Sequence, residues 1–425
     1  MSAPRVPISP EERAPLLESR RQSKMTSSAH AYVRGSTHRF YEWLHSSRGR
    51  SLPAAPSMWI GGDCHVGNLG PLADVEGEVA IGLRDLDQTV IGSPAHDVVR
   101  LSLSMAMAVR ASALPGATSA RVIESVARGY ERVLEMRAAR RDLVLDAAPP
   151  QVMAVLRAAG RRSRRNLFDE RMGRDARVIP IGKRFWPLTD EERASVMKLA
   201  SLEKIRKLVT SLASRKDGAP IELVDAAYWV KGCSSLGLWR CAALVQVGAG
   251  KKRGAVTLSL IDIKEALPPL APRARRAKMP SHDGERVVAG AAALSPSLGD
   301  RMVAATVAGK SVFVRELLPQ DLKFELDALG HDEAIAVGHY LGGVVAQAHA
   351  RQLDPGDAAA WLADFRRENA KLLDAPAWLW AAVVDLVALH EGAYLEHCRE
   401  HALLGSAASE IARDPSIVSH HVTGD

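Results

Sequence analysis

The sequence reads Trp59-Ile-Gly-Gly-Asp-Cys-His-Val-Gly-Asn-Leu-Gly70 and, shortly afterwards, Gly82-Leu-Arg-Asp-Leu-Asp-Gln-Thr-Val-Ile-Gly-Ser-Pro-Ala-His-Asp97. The apolar residues Ser57 to Ile60 predict a strand, and the glycines that follow predict a tight loop at its end. Three polar side chains lie in that loop: Asp63, His65 and Asn68. The loop therefore offers hard oxygen ligands together with a possible base.

The second segment adds two carboxylates. A strand is predicted over Glu78 to Leu83, and it leads directly to Asp85 and Asp87. Phosphoryl transfer needs a positioned hydroxyl and cations that neutralise phosphate charge. Magnesium accepts carboxylate, amide, water and phosphate oxygens, so Asp85 with Asn68, and Asp87 beside them, are the predicted magnesium ligands. Asp63 is the predicted base that accepts the acceptor's proton.

These spacings resemble a known catalytic segment. Gly62-Asp-x-His-x-Gly-Asn68, Asp85-x-Asp87 and Gly92-x-Pro-x-x-Asp97 are similar to the aminoglycoside phosphotransferase and choline kinase group of the protein-kinase-like superfamily. The resemblance covers roughly Gly61 to Leu101 and implies ATP and magnesium as cofactors, with Asp63 and His65 catalytic. It departs at Gly61, where those enzymes usually have the histidine that braces the loop. A strand-end turn with an N-capping Asp63 is the alternative interpretation.

A longer pattern resembles a bacterial family. Lys24-Met-x-x-Ser28, Tyr32-Val-Arg-Gly35 and a later His349-Ala-Arg351 are similar to the domain of unknown function 2252, over nearly the whole chain. That resemblance implies no known substrate. Lys24 and Arg34 are candidates to bind phosphate or an anionic acceptor, although Arg34 could equally tie the first helix to an acidic group.

About sixty residues precede the loop, which is too few for a nucleotide-binding lobe, so we expect that lobe downstream. Residues Glu222 to Val247 predict a strand, a glycine turn and a second strand. The candidate phosphate-binding residues of this turn are Gly232, Ser234, Ser235 and Gly237, through backbone amides and hydroxyls. An ordinary hairpin is the alternative.

The next predicted strand, Val256 to Lys264, ends in a lysine that would be costly to bury unpaired. Lys264 is therefore predicted to bind the α and β phosphates, as a kinase strand lysine does; an edge-strand lysine that reaches water is the alternative. In the predicted helix Asp283 to Leu294, Glu285 is the candidate partner of Lys264, although it could instead only favour the helix N-terminus. Leu318 to Lys323 is the predicted hinge for adenine.

This order of parts predicts an α+β, two-lobed protein-kinase-like fold that is circularly permuted, because the catalytic loop precedes the nucleotide lobe. The predicted divisions are residues 1–216, with the N-terminal helices and catalytic loop; 217–330, the strand-rich nucleotide-binding lobe; and 331–425, helices that complete the helical lobe. Further helices are predicted over Pro10–His45, with a polar break at Lys24–Ser28, and over Pro94–Ala111, Ser119–Asp142, Thr189–Leu212, Asp332–Arg351 and Asp357–Leu403.

Composition narrows the class little further. Fifty-six Lys and Arg residues against 49 Asp and Glu give a net charge of +7. The arginine-rich run Arg157 to Arg165 has few aromatic residues between its arginines, so nucleic-acid binding is not favoured and a solvated helix end is expected. The four cysteines have neither metal-ligand nor disulfide spacing, which favours the cytoplasm. Ala375 to Leu389 is interrupted by Asp385 and is too short to span a bilayer.

The predicted function is transfer of a phosphoryl group from ATP to the hydroxyl of an unknown small-molecule or protein acceptor. Two alternatives stay open. A nucleotide-binding regulator without turnover would use the same residues, and a metal-dependent phosphoesterase would pair Asp63 and His65 at a first metal, with Asp85 bridging a second. Nucleotidyl transfer in place of phosphoryl transfer is also open, because acceptor and reaction are set by pocket shape.

Overall fold

The computed structural model describes residues 6–112, 114–172, 177–212, 214–233, 235–248, 257–322, 329–367 and 375–413, which form a mixed α+β structure. The helices are α1 Pro10–Met25, α2 Ala29–Gly35, α3 Thr37–His45, α4 Pro94–Ala111, α5 Gly116–Ala138, α6 Pro150–Gly160, α7 Arg164–Met172, α8 Asp190–Ala200, α9 Glu203–Thr210, α10 Asp283–Leu294, α11 Pro296–Gly299, α12 His331–Ala350, α13 Pro355–Phe365 and α14 Ala377–Arg413. The strands are β1 Met58–Ile60, β2 Leu69–Ala73, β3 Val79–Leu83, β4 Val90–Gly92, β5 Phe185–Trp186, β6 Ile221–Trp229, β7 Arg240–Val247, β8 Thr257–Glu265, β9 Met302–Val307 and β10 Lys310–Glu316.

Strands β5 to β10 form one six-stranded antiparallel sheet in the order β5-β6-β7-β8-β10-β9. Both faces of the sheet are buried. On β7, Cys241 and Val245 enter a cluster with α8 and α9, whereas Ala242 and Leu244 enter a second cluster with α7. This alternation follows from the two-residue period of a strand. Lys264 on β8 lies in register with Arg240 on one side and Phe313 on the other.

A separate, largely helical core contains α4, α5, α12 and α13. Glycines bring α5 and α12 unusually close. A Cβ added at Gly129 would lie 1.9 Å from the carbonyl oxygen of His339, and one at Gly342 would lie 2.2 Å from that of Val126. Only glycine permits this backbone approach, which holds the two long helices together.

Two short antiparallel pairs connect the helical core to the cleft. β1 pairs with β4, and β2 pairs with β3. The Asp63 loop leaves β1 and the Asp85 loop leaves β3, and the backbone amide of Arg84 donates to the carbonyl oxygen of Asn68 (2.8 Å). The two motif segments are therefore neighbours in space.

Several elements differ from the predictions. The segment Pro10–His45 is interrupted at the predicted polar break, where Ser28 caps α2 by accepting from the backbone amide of Ala31 (3.0 Å), but a second interruption at Ser36, between α2 and α3, was not predicted. The predicted helix Thr189–Leu212 is broken between α8 and α9. Helices α6 and α7 were not predicted, and the sheet begins before residue 217, since β5 pairs with β6. None of the described helices is long and apolar enough to cross a membrane.

Candidate active site

Asp63 lies in the loop after β1, and two buried side chains fix its carboxylate. Its Oδ1 accepts from Arg100 Nε (2.9 Å), and its Oδ2 accepts from the Thr37 hydroxyl (3.0 Å). Asn68 Nδ2 donates to the backbone carbonyl of Asp63 (2.9 Å), which closes the loop. Helices α3 and α4 therefore set the orientation of this carboxylate.

The loop is braced by Asp97, which is fully buried in the first turn of α4. Its two oxygens accept from the backbone amides of Gly61 (2.7 Å) and Gly62 (2.9 Å). His349 Nε2 lies 3.1 Å from Asp97 Oδ2, and its Nδ1 lies 2.8 Å from the Tyr130 hydroxyl. Asp97, itself held by His349, therefore braces the loop at Gly61 and Gly62.

His65 is buried beside Asp63, with its Nε2 3.9 Å from Asp63 Oδ2. Burial lowers the pKa of His65 well below its usual range, and the positive charges of Arg34 and Arg100 lower that pKa further. Its Nδ1 is buried without a hydrogen-bond partner among the described residues. At neutral pH the ring is uncharged and retains one unused nitrogen.

The carboxylates of Asp85 and Asp87 form salt bridges with Lys264. The lysine is buried on β8, and its ammonium group lies 3.2 Å from Asp85 Oδ1 and also pairs with Asp87. Burial alone would raise the pKa of Asp85, but Lys264 and Arg240 outweigh it and hold that pKa well below its usual range. Burial, and next the charge of Asp85, raise the pKa of Asp87 to about 6. Asp85 is the more strongly ionised carboxylate, and 44% of its side chain is exposed.

Glu285 is not the partner of Lys264, so that prediction is wrong. Glu285 is exposed in the first turn of α10, where an acidic side chain favours the helix N-terminus. The next residue, Arg286, is buried and donates to the backbone carbonyls of Thr89 (2.5 Å) and Asp87 (3.0 Å). Helix α10 therefore contacts the Asp85 loop through an arginine.

The glycine turn between β6 and β7 borders the same cleft. Gly232 and Gly237 have φ angles of +106° and +107°, a conformation that favours glycine. Lys24 Nζ donates to the carbonyl oxygen of Gly232 (2.9 Å), so the end of α1 holds the turn. Ser235 is buried and faces the cleft, whereas Ser234 lies outside the described residues.

Two cavities meet at this loop. The leucine-lined cavity has a volume of about 370 Å³, and its walls include Leu238, Leu267, Pro268, Leu270, Asp63 and Asp87. The second cavity, here called the cationic chamber, has a volume of about 420 Å³ and is lined by eight cationic side chains: Lys24, Arg34, Arg84, Arg171, Arg184, Lys231, Arg240 and Arg315. Asn68, Asp85 and Ser235 line both cavities.

Few carboxylates neutralise the cationic chamber. Arg240 pairs with Asp262, and Arg315 Nε lies 3.4 Å from the same carboxylate, so two guanidinium groups share one negative charge. Lys231 has no carboxylate partner among the described residues, and its ammonium lies 4.2 Å from the ring centre of Trp229. Burial lowers the pKa of Lys231 well below its usual range, and Arg240 lowers it further.

Most of these cations were missed in the sequence. The argument made for Lys264, a cation within a buried strand, applies equally to Arg240 on β7 and Arg315 on β10 and would have found them. Arg84, Arg171 and Arg184 belong to three separate segments, and no spacing relates them. Of the predicted substrate residues, Lys24 and Arg34 both line the chamber.

Two other segments considered in the sequence, the predicted adenine hinge and the arginine-rich run, lie away from these cavities. The described part of the predicted adenine hinge, Leu318 to Leu322, lines neither cavity, and Lys323 lies outside the described residues. The arginines of Arg157–Arg165 do not line the cationic chamber either; Arg162 pairs with Glu170 (2.7 Å).

Few side chains in the described part of the cleft could bind a metal ion. The described residues contain no cluster of three or more His, Cys, Asp or Glu side chains that could hold a metal ion. Magnesium with a nucleotide needs fewer protein ligands. Asp87 Oδ1 is buried without a hydrogen-bond partner among the described residues, so this oxygen is suited to bind a cation.

Comparison with known proteins gives the family. Residues 13–400 match the family described as "uncharacterized protein conserved in bacteria (DUF2252)", and the chain belongs to it. No curated protein and no solved structure matches the chain.

Proposed function

We propose that this protein is an ATP- and magnesium-dependent phosphotransferase of the protein-kinase-like type that acts on an acceptor hydroxyl. The observation that carries the proposal is the contact of buried Lys264 with Asp85 and Asp87, next to the Asp63 loop. In kinases a strand lysine contacts the nucleotide phosphates, and an aspartate beside it binds the metal. Lys264 is buried and lines neither of the two cavities; it reaches the cleft through Asp85 and Asp87, and a nucleotide phosphate would replace these carboxylates as its partner.

Asp63 is the proposed base. Its carboxylate accepts the proton of the acceptor hydroxyl. The acceptor oxygen forms a bond to the γ-phosphorus, and the bond between that phosphorus and the β–γ bridging oxygen breaks, so that its electron pair leaves with ADP. Arg100 and Thr37 orient the carboxylate, and such orientation supports proton transfer because it fixes the reacting geometry in advance.

Asp85 and Asn68 are the proposed magnesium ligands, with Asp87 as a third. The ion, bound with the nucleotide, supplies positive charge that neutralises phosphate oxygens. Asn68 uses its amide nitrogen for the Asp63 carbonyl, which leaves its amide oxygen for another partner. The unpartnered, buried Oδ1 of Asp87 supports the same assignment.

A circularly permuted kinase-like fold is part of the proposal. Lys264 lies on β8, the third of the consecutive long strands β6 to β8, and α10 follows it. This order of glycine turn, lysine strand and helix agrees with a kinase nucleotide lobe. The Asp63 loop precedes that lobe in the chain and adjoins the Asp85 loop, whose carboxylates contact Lys264, which is compatible with permutation.

The leucine-lined cavity is the proposed position of the nucleotide base. Leu238, Leu267 and Leu270 offer an apolar wall for a flat ring, and binding pockets are typically apolar with a few polar groups. Asn68, Asp85 and Ser235 lie where this cavity meets the cationic chamber, so the phosphates would extend toward them.

The test follows γ-labelled and α-labelled ATP, in separate reactions, into a pool of hydroxylated metabolites, into the protein itself and into water. We expect wild-type protein to transfer the γ label only. Asp63→Asn is nearly isosteric and cannot take up the proton as a carboxylate does, so we expect about 10²–10⁴-fold slower transfer with unchanged ATP binding.

The controls separate the alternatives. ATP binding without transfer of either label would favour a regulator, and transfer of the α label would favour nucleotidyl transfer. Activity of Asp63→Asn equal to wild type would show that Asp63 is not the base.

A further inference from the structure

The cationic chamber carries more positive charge than the proposed catalytic step uses. Of its eight cationic side chains, Arg240 and Arg315 share Asp262, and Asp85 is already paired with Lys264. The remaining cations have no comparable number of carboxylates near them among the described residues. Magnesium would already neutralise part of the nucleotide's charge. This surplus of positive charge therefore indicates that the chamber binds an anion in addition to the nucleotide.

The chamber contains buried hydrogen-bond donors that have no partner among the described residues. Arg34 Nε, Arg84 Nη1 and Arg171 Nε are buried and have no hydrogen-bond partner among the described residues. A buried donor without a partner costs free energy, so its presence indicates a ligand that completes it. Gly67 also lets Arg34 lie against the catalytic loop, since a Cβ there would lie 2.9 Å from Arg34 Cζ.

We propose that the cationic chamber binds the phosphate groups of the acceptor, so that the substrate receiving the phosphoryl group is itself a phosphorylated compound. This inference rests on the proposed function. A phosphate monoester carries about −1.5 to −2 charges at neutral pH, so two such groups would neutralise three to four of the cations. Arginine forks match phosphate oxygens in pairs, which suits a chamber rich in arginine.

The shape of the site favours a small molecule. The chamber has a volume of about 420 Å³, within the range of small-molecule pockets. It opens to the catalytic loop through Asn68, Asp85 and Ser235, which it shares with the leucine-lined cavity. Asp63 lines the leucine-lined cavity and not the chamber, so an acceptor held by its phosphates in the chamber would extend its hydroxyl through this shared opening to reach Asp63.

Inorganic pyrophosphate is the probe. Isothermal titration would measure its binding to the free protein and to protein saturated with a non-hydrolysable ATP analogue, at one fixed excess of magnesium. We expect similar dissociation constants in the two titrations. Lys231→Gln and Arg171→Gln should each weaken pyrophosphate binding about tenfold, the loss of one charge-assisted contact, with little change in analogue affinity. The control is Lys198→Gln, an exposed lysine on α8 outside the chamber, which should change neither.

The thermal midpoint of the ligand-free protein gives a second readout. Because each substitution removes one of several repelling cations, Lys231→Gln and Arg171→Gln should leave the midpoint unchanged or raise it. Weaker binding together with an unchanged or raised midpoint would support the proposal, since a folding defect lowers the midpoint.

Three results would overturn the inference. Pyrophosphate competing with the ATP analogue would assign the chamber to the nucleotide's own phosphates, while the proposed function would stand. No binding of pyrophosphate, or equal binding by wild type and both variants, would remove the site. Failure of the analogue itself to bind would instead refute the proposed function, and the separate titration shows which has failed.

Discussion

The ammonium group of Lys264 lies between two carboxylates that differ in environment. Asp85 is 44% exposed and strongly ionised, whereas 20% of the Asp87 side chain is exposed and its pKa is raised to about 6. An anionic ligand that draws Lys264 away would leave two negative charges together. A divalent cation between them would compensate, so nucleotide and magnesium should bind cooperatively at this point.

Substitutions at these residues should separate the phosphate contact from the metal contact. At a ligand concentration of a hundred times Kd, ATP with magnesium should stabilise the wild-type protein by about 2.7 kcal/mol. Lys264→Ala removes a phosphate contact, so the stabilisation by ATP should fall by about 1.5–2.5 kcal/mol with or without magnesium. Asp85→Asn should remove only the part that depends on magnesium. Thermal unfolding with ATP, at matched magnesium and EDTA conditions, measures both.

The exposed Glu285 provides the control for this prediction. Glu285→Gln should leave both shifts unchanged, because the side chain does not reach Lys264. Equal shifts in wild type, Lys264→Ala and Asp85→Asn would contradict both assignments.

The positions of single residues could be predicted where the local sequence restricts the conformation or the partners of a side chain. Glycines that end a short apolar strand place Asp63 and Asn68 in one loop, and a lysine in a buried strand must meet an anion, as Lys264 does. The cationic chamber was not predictable in the same way. Its side chains come from α1, α2, α7, the glycine turn and the sheet, so only the folded chain brings them together.

At the scale of elements, the contact between α5 and α12 links packing to the site. The two helices approach through Gly129 and Gly342, and they carry Tyr130 and His349. These side chains support Asp97, which braces the Asp63 loop. A change in the spacing of the helices should therefore reach the Asp63 loop.

Gly129→Ala should test this link. The new Cβ would lie 1.9 Å from the carbonyl oxygen of His339, so the helices must separate. We expect the free energy of unfolding to fall by about 1–3 kcal/mol, the cost of overpacking a core. Urea unfolding measures this loss, and phosphoryl transfer should fall with it.

Gly392 on α14 is the matched control, because a Cβ there meets no atom within 4 Å. Gly392→Ala should be neutral or stabilising by up to about 1 kcal/mol, through helix propensity alone. A Gly129→Ala protein as stable as wild type would show that the close approach of α5 and α12 is not needed.

Periodicity predicted the long elements well and the short ones poorly. Helix α10 has the predicted bounds, and β6 to β8 occupy the predicted segments, because each carries a sustained apolar pattern. The two-residue β5 and the polar helix α7 have no such pattern; they form because they pack on the sheet. The break at Lys24–Ser28, where Ser28 caps α2, was predicted from its polar residues, whereas the break at Ser36 between α2 and α3 was not.

At the scale of the whole molecule, buried histidines make the stability of the folded protein depend on pH. Burial lowers the pKa of His96 on α4 to about 4, and burial together with the nearby Arg100 lowers the pKa of His390 on α14 to about 4. Both rings are therefore neutral in the folded protein above about pH 4. In the unfolded chain they take up protons below about pH 6.5.

The unfolded state therefore binds more protons than the folded state between about pH 6.5 and pH 4, so stability must fall as pH falls through this interval. Each histidine should contribute about 2 kcal/mol to the loss between pH 7 and pH 5. Urea unfolding at the two pH values measures the difference. His390→Leu removes one fully buried titrating ring, so this variant should lose about 2 kcal/mol less than wild type over the same change. His331→Gln, at a half-exposed position at the start of α12, should lose as much as wild type. If His390→Leu loses as much as well, protonation of the helical core is not what couples stability to pH.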